Sequence, residues 1–76
     1  MAAKAFVLIE TAVGKAKKVA ASLGQIKGIK SVDMVTGPYD IIATIEAETL
    51  SSIGDVVTGK IHAIDGISRT VTCLVV

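Results

Sequence analysis

The amino-acid sequence predicts an α+β domain with the order βαββαβ, in which four antiparallel strands form one sheet and two helices cover one face of it. The chain of 76 residues repeats itself after 38 residues, and each half has an apolar helix tail, an Ile-x-Gly-Ile segment and a β-rich run. Two similar βαβ halves make up the ferredoxin-like fold. The recurring positions are Val19 with Val57, Leu23 with Ile61, Ile26 with Ile64, Gly28 with Gly66, and Ile29 with Ile67.

The first half of the chain fits one βαβ unit. Residues 5–11 contain a short apolar run with a bias towards β-branched residues, which predicts the first strand. A helix follows, and Gly24 is expected to end it in a left-handed cap. Residues 29–36 predict the second strand, which Gly37 and Pro38 interrupt because proline supplies no ladder donor. The predicted buried face of the helix is Val13, Ala16, Val19, Ala20, Leu23 and Ile26.

The second half repeats the pattern with a weaker helix. Residues 41–47 predict the third strand, and residues 67–76 predict the fourth, after a turn at Asp65 and Gly66. Gly54 and Gly59 weaken the second helix by about 1 kcal/mol each relative to alanine, and we interpret them as sites of close packing. The candidate N-caps of this helix are Thr49, Ser51 and Ser52, and its predicted buried face is Leu50, Ile53, Val57, Ile61 and Ile64.

The strands carry apolar side chains on both faces. Phe6 and Leu8 alternate with Val7 and Ile9, and the last strand shows the same double pattern. In an antiparallel sheet with one solvent-exposed face, each strand instead alternates apolar and polar residues. We therefore predict that two chains stack sheet against sheet as a dimeric α+β barrel, which would also account for a hydrophobic content of 51% and a mean hydropathy of +0.68. The polar positions expected within that layer are Thr44, Thr70 and Thr72.

Composition argues against several other classes of function. A net charge of +1 and a pI near 7.9 are too weakly basic for direct nucleic-acid binding. No apolar run approaches the ~20 residues of a membrane span, and the start lacks the features of a signal peptide, so we expect a cytoplasmic protein. Cys73 and His62 are each the only residue of their type, and the carboxylates have no metal-ligand spacing. We expect no catalytic residue, no metal and no cofactor.

The segment of residues 36–40 concentrates unusual residues at one bend. It contains the only proline and the only tyrosine. Gly37 allows the backbone to approach a ligand, and the Asp40 carboxylate can pair with an ammonium group, as a zwitterionic amino acid requires. The alternative is a tight strand connection in which Tyr39 packs at an interface and Asp40 caps its own turn. Spacing alone leaves both interpretations open.

Three stretches of the sequence resemble the C-terminal effector-binding domain of the Lrp/AsnC family of transcription regulators. They are Ala5-Phe6-Val7-Leu8-Ile9, Thr36-Gly37-x-Tyr39-Asp40 and Ile64-Asp65-Gly66-Ile67-x-x-Thr70-x-Thr72. The resemblance covers nearly all of residues 1–76, which we take as a single ligand-binding domain. Full members carry a helix-turn-helix domain before this module, and since Met1 lies just ahead of the first strand we expect the stand-alone form.

The resemblance implies a function and a site. It implies a homo-oligomer, a dimer that assembles further into tetramers up to decamers, with a small amino acid bound between dimers. It implies regulation of transcription through a full-length relative. The implied ligand-binding residues are Thr36, Gly37, Tyr39, Asp40, Thr70 and Thr72, with Ser68 and Arg69 as neighbours.

Three alternative functions are compatible with this fold. The chain could be a purely structural oligomer with no ligand, in which the loop is only an interface element. It could be an ACT-like regulatory domain, which would pair chains side by side at sheet edges. A small ferredoxin-like monooxygenase or isomerase would need a histidine or an acid inside a closed apolar cavity, and His62 is poorly placed for that role.

Overall fold

A computed structural model describes residues 2–76; Met1, which was expected just ahead of the first strand, lies outside the described residues. The strands are β1 (Ala3–Thr11), β2 (Ile29–Met34), β3 (Ile41–Ala47) and β4 (Ile67–Leu74). The helices are α1 (Ala16–Leu23) and α2 (Leu50–Val56), and α2 continues as a π-helical turn over Val57–Ile61. The strands form one antiparallel sheet in the order β2-β3-β1-β4. The predicted ferredoxin-like α+β fold is therefore confirmed.

The core lies between the helices and one face of the sheet. In β1, Ala5, Val7 and Ile9 are fully buried, whereas Phe6 points to the other face and is 37% exposed. Successive side chains of a strand point to opposite faces, so this alternation defines a helix-facing side and an open side of the sheet. The remaining buried residues of the core are Val19, Leu23, Ile41, Ala43, Ile45, Ile53, Val56, Val57 and Ile61.

The second helix buries a face that differs from the predicted one at its start. Thr49 is the N-cap, and its hydroxyl accepts a hydrogen bond from the Ser52 backbone N–H at 3.1 Å. Leu50, predicted to be buried, is 60% exposed, since it lies at the first helical position and beside the sheet edge. Val56 is buried instead, and the wider π-helical turn then places Ile61 in the core.

The first helix is shorter than predicted at its start. Val13 was expected on the buried face, but the helix begins at Ala16 and the Val13 side chain is fully exposed. Gly14, with φ of +79°, holds the turn before the helix. Gly24 ends the helix as predicted, although with φ of −63° it forms a right-handed cap, so the predicted left-handed cap is wrong. The positive φ falls at Gly28 instead.

Three further expectations about element ends and packing are also corrected. The second and fourth strands end at Met34 and Leu74, two residues before their predicted ends. A Cβ built on Gly54 or Gly59 would have no neighbour within 4 Å, so neither glycine permits close packing.

The centre of the open face of the sheet is apolar, its ends carry charged residues, and its set of threonines differs from the one predicted. Phe6 pairs with Thr44 on one side and Cys73 on the other, so Thr44 lies on this face as expected. Thr70 and Thr72 pair with Ile9 and Val7, whose side chains are buried under the helices. These two threonines therefore lie on the helix-facing side, contrary to prediction. The other apolar residues of the open face are Leu8, Ile42 and Val71.

Within residues 2–76 no helix is long and apolar enough to cross a membrane. The same part of the chain has no group of three or more histidine, cysteine, aspartate or glutamate side chains arranged to hold a metal ion.

Candidate functional site

The loop of residues 35–40 joins β2 to β3 and is fixed by backbone hydrogen bonds at its base. The Val35 N–H donates to the Asp40 carbonyl and the Asp40 N–H donates to the Ile9 carbonyl, both at 2.9 Å. Gly37 at the tip has φ of +131° and no neighbour near its missing Cβ. The loop therefore has a rigid base on β1 and an exposed tip that only glycine adopts without strain.

The Asp40 side chain caps a distant strand. Its Oδ2 atom accepts hydrogen bonds from the Thr11 backbone N–H at 2.8 Å and from the Thr11 hydroxyl at 3.2 Å. The interpretation in which Asp40 caps its own turn is therefore wrong. Thr11 was not among the predicted site residues, because the contact joins residues 29 positions apart and depends on the pairing of β1 with β3.

Tyr39 ties the loop to the last strand. Its phenolic oxygen accepts a hydrogen bond from Arg69 Nη2 at 3.2 Å, and the guanidinium carbon lies 5.7 Å from the ring centroid. Arg69 stands opposite Glu10 across β1 and β4. The loop thus reaches past the end of β1. Its Tyr39 contacts Arg69 of β4, and its Asp40 contacts Thr11 of β1.

Thr70 and Thr72 occupy a different place from the loop residues. The Thr70 hydroxyl lies 3.0 Å from His62 Nε2, at the end of the π-helical turn. Thr72 lines an apolar groove of about 280 Å³ between α2 and β4, together with Leu50 and Leu74. Within the described residues no hydrogen bond joins these two threonines to the loop. In a single chain the six predicted site residues therefore lie in two separate groups. The loop group is Thr36, Gly37, Tyr39 and Asp40.

A hollow of about 450 Å³ opens beside Asp40 on the side of α1. Thr11, Lys17 and Met34 contribute to its wall, and Val13 and Ala16 belong to the same surface. Lys17 was not among the predicted site residues. An acidic and a basic residue, Asp40 and Lys17, therefore contribute to one concave surface that is otherwise mostly apolar, and such surfaces are typical of small-molecule sites.

Comparison with known proteins adds a family and several structural relatives. A model described as the Lrp/AsnC ligand binding domain matches residues 4–76. An uncharacterised HTH-type transcriptional regulator of Pyrococcus furiosus is 34% identical over 56 residues, a match that covers 74% of this chain and 37% of the regulator. The matched segment thus spans little more than a third of that relative. Its name describes a regulator of transcription, not an enzyme.

Solved structures share the fold. A crystal structure of a Thermus thermophilus protein superposes with a TM-score of 0.93 at 31% identity, covering 97% of this chain and 92% of that one. A Neisseria meningitidis transcriptional regulator, solved as a complex with L-methionine, superposes with a TM-score of 0.86 at 17% identity. That match covers 97% of this chain and 49% of the regulator, and at this identity it shows the fold alone.

Proposed function

This chain belongs to the Lrp/AsnC ligand-binding-domain family, and on that premise we propose that it is an oligomeric module that binds a small amino acid and acts in the regulation of transcription. The observation that carries the proposal is the fixed loop of residues 35–40, which presents a carboxylate beside a concave surface. The L-methionine complex of the Neisseria regulator supports the choice of ligand class.

The loop offers the groups that a zwitterion needs. The Asp40 carboxylate would bind the α-ammonium group, in a charge-assisted hydrogen bond stronger than a neutral one. The ligand carboxylate would need donors, and backbone N–H groups of the exposed turn can provide some of them. Thr70 and Thr72 face the helix layer of their own chain, so they would complete the site only where a second copy brings its threonines to this loop.

Self-association is the second part of the proposal. The open face of the sheet exposes part of Phe6 and Val71 in an apolar layer that a monomer would leave in water. Burying such a layer is favourable by roughly 25 cal/mol per Å². We propose that two chains stack by this face into a dimer and that dimers assemble further, up to decamers, with the ligand between them.

The module would act on transcription through a longer protein. The curated relative carries this module within a chain of which the match covers 37%. We propose that this module regulates by joining a full-length relative through the same sheet and loop surfaces.

Calorimetric titration of the protein with each of the twenty amino acids tests the ligand role. We expect at least one to bind at millimolar concentration or below, and Asp40→Asn to weaken it by about tenfold or more, because the amide carries no charge. Asp55→Asn, at an exposed position of α2, is the matched control and should bind as the wild type does. If no amino acid binds and Asp40→Asn changes nothing, the ligand role is wrong.

The alternative function is a purely structural oligomer. The observation that favours it is the structural use of the loop, since the Asp40 side chain accepts hydrogen bonds from Thr11 and Tyr39 accepts one from Arg69, all within the chain. This alternative predicts that Gly37 and Asp40 substitutions change the assembly size in the absence of metabolites. An ACT-like module would also bind an amino acid, but would join copies at the β2 or β4 edges, leaving the open face of the sheet exposed.

A further inference from the structure

We infer that the hollow between the loop and α1 is this chain's share of the amino-acid site and that Lys17 supplies the charged donor for the ligand carboxylate. The apolar wall of the hollow then restricts the ligand to α-amino acids with an uncharged apolar side chain. This inference rests on the function proposed above and adds to it a residue and a ligand class.

The first step is the pairing of opposite charges on one surface. Asp40 and Lys17 both line the hollow, the first from the β2–β3 loop and the second from the first turn of α1. A free α-amino acid carries one positive and one negative charge on neighbouring groups, so a surface with both charges can bind it in one orientation. A surface with Asp40 alone would accept any amine.

The second step concerns the capacity of the Asp40 carboxylate to accept further hydrogen bonds. Both hydrogen bonds recorded for its side chain within residues 2–76 end on Oδ2 and come from Thr11. A carboxylate has two oxygens and about four lone-pair sites, so Oδ1 keeps its capacity to accept from an ammonium group. The Thr11 bonds fix the orientation of the carboxylate, which reduces the entropy lost when a ligand binds.

The third step is the position of Lys17. Its neighbour Ala16 is half-buried against the fold, whereas Lys17 and Lys18 are exposed. Only Lys17 of these two lysines lines the hollow. A lysine side chain has a flexible apolar stem and three rotatable donors, so it can follow a carboxylate within the hollow without a change in the backbone.

The fourth step concerns the remaining wall. Val13 is fully exposed and Met34 is 52% exposed, and both lie on the hollow together with Ala16. An apolar ligand side chain would remove part of this surface from water, whereas a charged one would lose its hydration without a partner. The volume of about 450 Å³ lies within the usual range for small-molecule sites. These features favour an uncharged apolar side chain.

The test compares Lys17→Gln with Lys18→Gln, which removes the same charge one residue away. Titration calorimetry would use L-alanine, L-leucine and L-methionine as apolar probes. L-glutamate and L-lysine test the side-chain preference, and the amide of the tightest-binding apolar probe tests the need for a ligand carboxylate. We expect Lys17→Gln to weaken that probe by about tenfold or more and Lys18→Gln by less than about twofold. Wild type should bind the amide about tenfold or more weakly than the acid, and Lys17→Gln should bind both alike.

The results separate this inference from the function on which it rests. If Lys17→Gln binds the probe as wild type does while Asp40→Asn does not, the role of Lys17 is wrong and the amino-acid function stands. If L-glutamate or L-lysine binds more tightly than the three apolar probes, the ligand class is wrong. If none of the twenty amino acids binds to the wild type, the proposed function fails and this inference fails with it.

Discussion

The carboxylate of Asp40 accepts a hydrogen bond from the backbone N–H of Thr11 at 2.8 Å, and this contact ties the β2–β3 loop to the end of β1. The same carboxylate is the group that we propose for the ligand ammonium. Its structural role and its binding role are compatible, because Thr11 uses only Oδ2. Substitution of Asp40 is therefore expected to change stability as well as affinity, and the two effects can be measured apart.

Asp40→Ala should lower the free energy of unfolding by about 1–2 kcal/mol, because it leaves the Thr11 N–H without its charged acceptor. Urea unfolding at one fixed protein concentration measures the change. Asp55→Ala removes an exposed carboxylate from α2 and should change stability by less than about 0.5 kcal/mol. Equal stability of Asp40→Ala and wild type would show that the Thr11 contact contributes nothing to the fold.

Gly66→Ala should destabilise the domain more than Gly14→Ala. Both glycines have positive φ, +101° and +79°, so alanine is strained at either position by about 1 kcal/mol or more. At Gly66 the added Cβ would also meet Lys15 Cβ and Val19 Cγ2 at 3.1 Å, whereas at Gly14 it meets nothing within 4 Å. We expect a difference of about 1 kcal/mol between the two variants in thermal or urea unfolding. A larger loss for Gly14→Ala would contradict this packing.

Much of the fold could be predicted because local signals agree with it. The bounds of β3, 41–47, follow from an apolar run between a proline turn and an N-cap, and the structure gives Ile41–Ala47. The two-residue period of a strand predicted that Val7 and Ile9 share one face of β1 and Phe6 and Leu8 the other, and this is also confirmed. The 38-residue repeat predicted the order of the elements, since each half must supply one helix to cover its strands.

The errors about the candidate site fall where long-range pairing decides the outcome. From Thr70 to Leu74 both faces of β4 carry small or apolar residues, so only the register against β1 could place Thr70 and Thr72. That register is regular from Ala5 to Glu10 and shifts only before Thr11, an irregularity that no local pattern indicates. For the same reason the sequence predicted Asp40 as a candidate but not its Thr11 partner. The sequence did not single out Lys17, which we propose as a site residue, because a lone lysine on a helix is ordinarily a solvated surface residue.

Gly54→Ala should stabilise the domain. The sequence suggested close packing at this glycine, but a Cβ built there has no neighbour within 4 Å, and the residue lies inside α2. Alanine in place of an unconstrained helical glycine is expected to raise the free energy of unfolding by about 0.5–1 kcal/mol. Urea unfolding beside wild type measures it. A destabilised variant would mean that the surface around Gly54 is covered by another copy in solution.

The open face of the sheet gives the last prediction. Phe6 and Val71 are exposed by 37% and 36% in the single chain, and both should be buried if two chains stack by this face. Phe6→Glu would then place an unpaired charge in an apolar interface, which should weaken dimerisation by more than about tenfold, or 1.4 kcal/mol. Sedimentation velocity over a range of micromolar concentrations measures the change.

Ala21→Glu is the matched control, because it adds the same charge on an exposed position of α1, in the helix layer that covers the opposite face of the sheet. It should sediment as wild type does. A wild-type chain that remains monomeric throughout this range would contradict face stacking, and so would a Phe6→Glu variant that assembles normally. In either case a site completed by Thr70 and Thr72 of a second copy would need a different contact between chains, for instance along the exposed β4 edge.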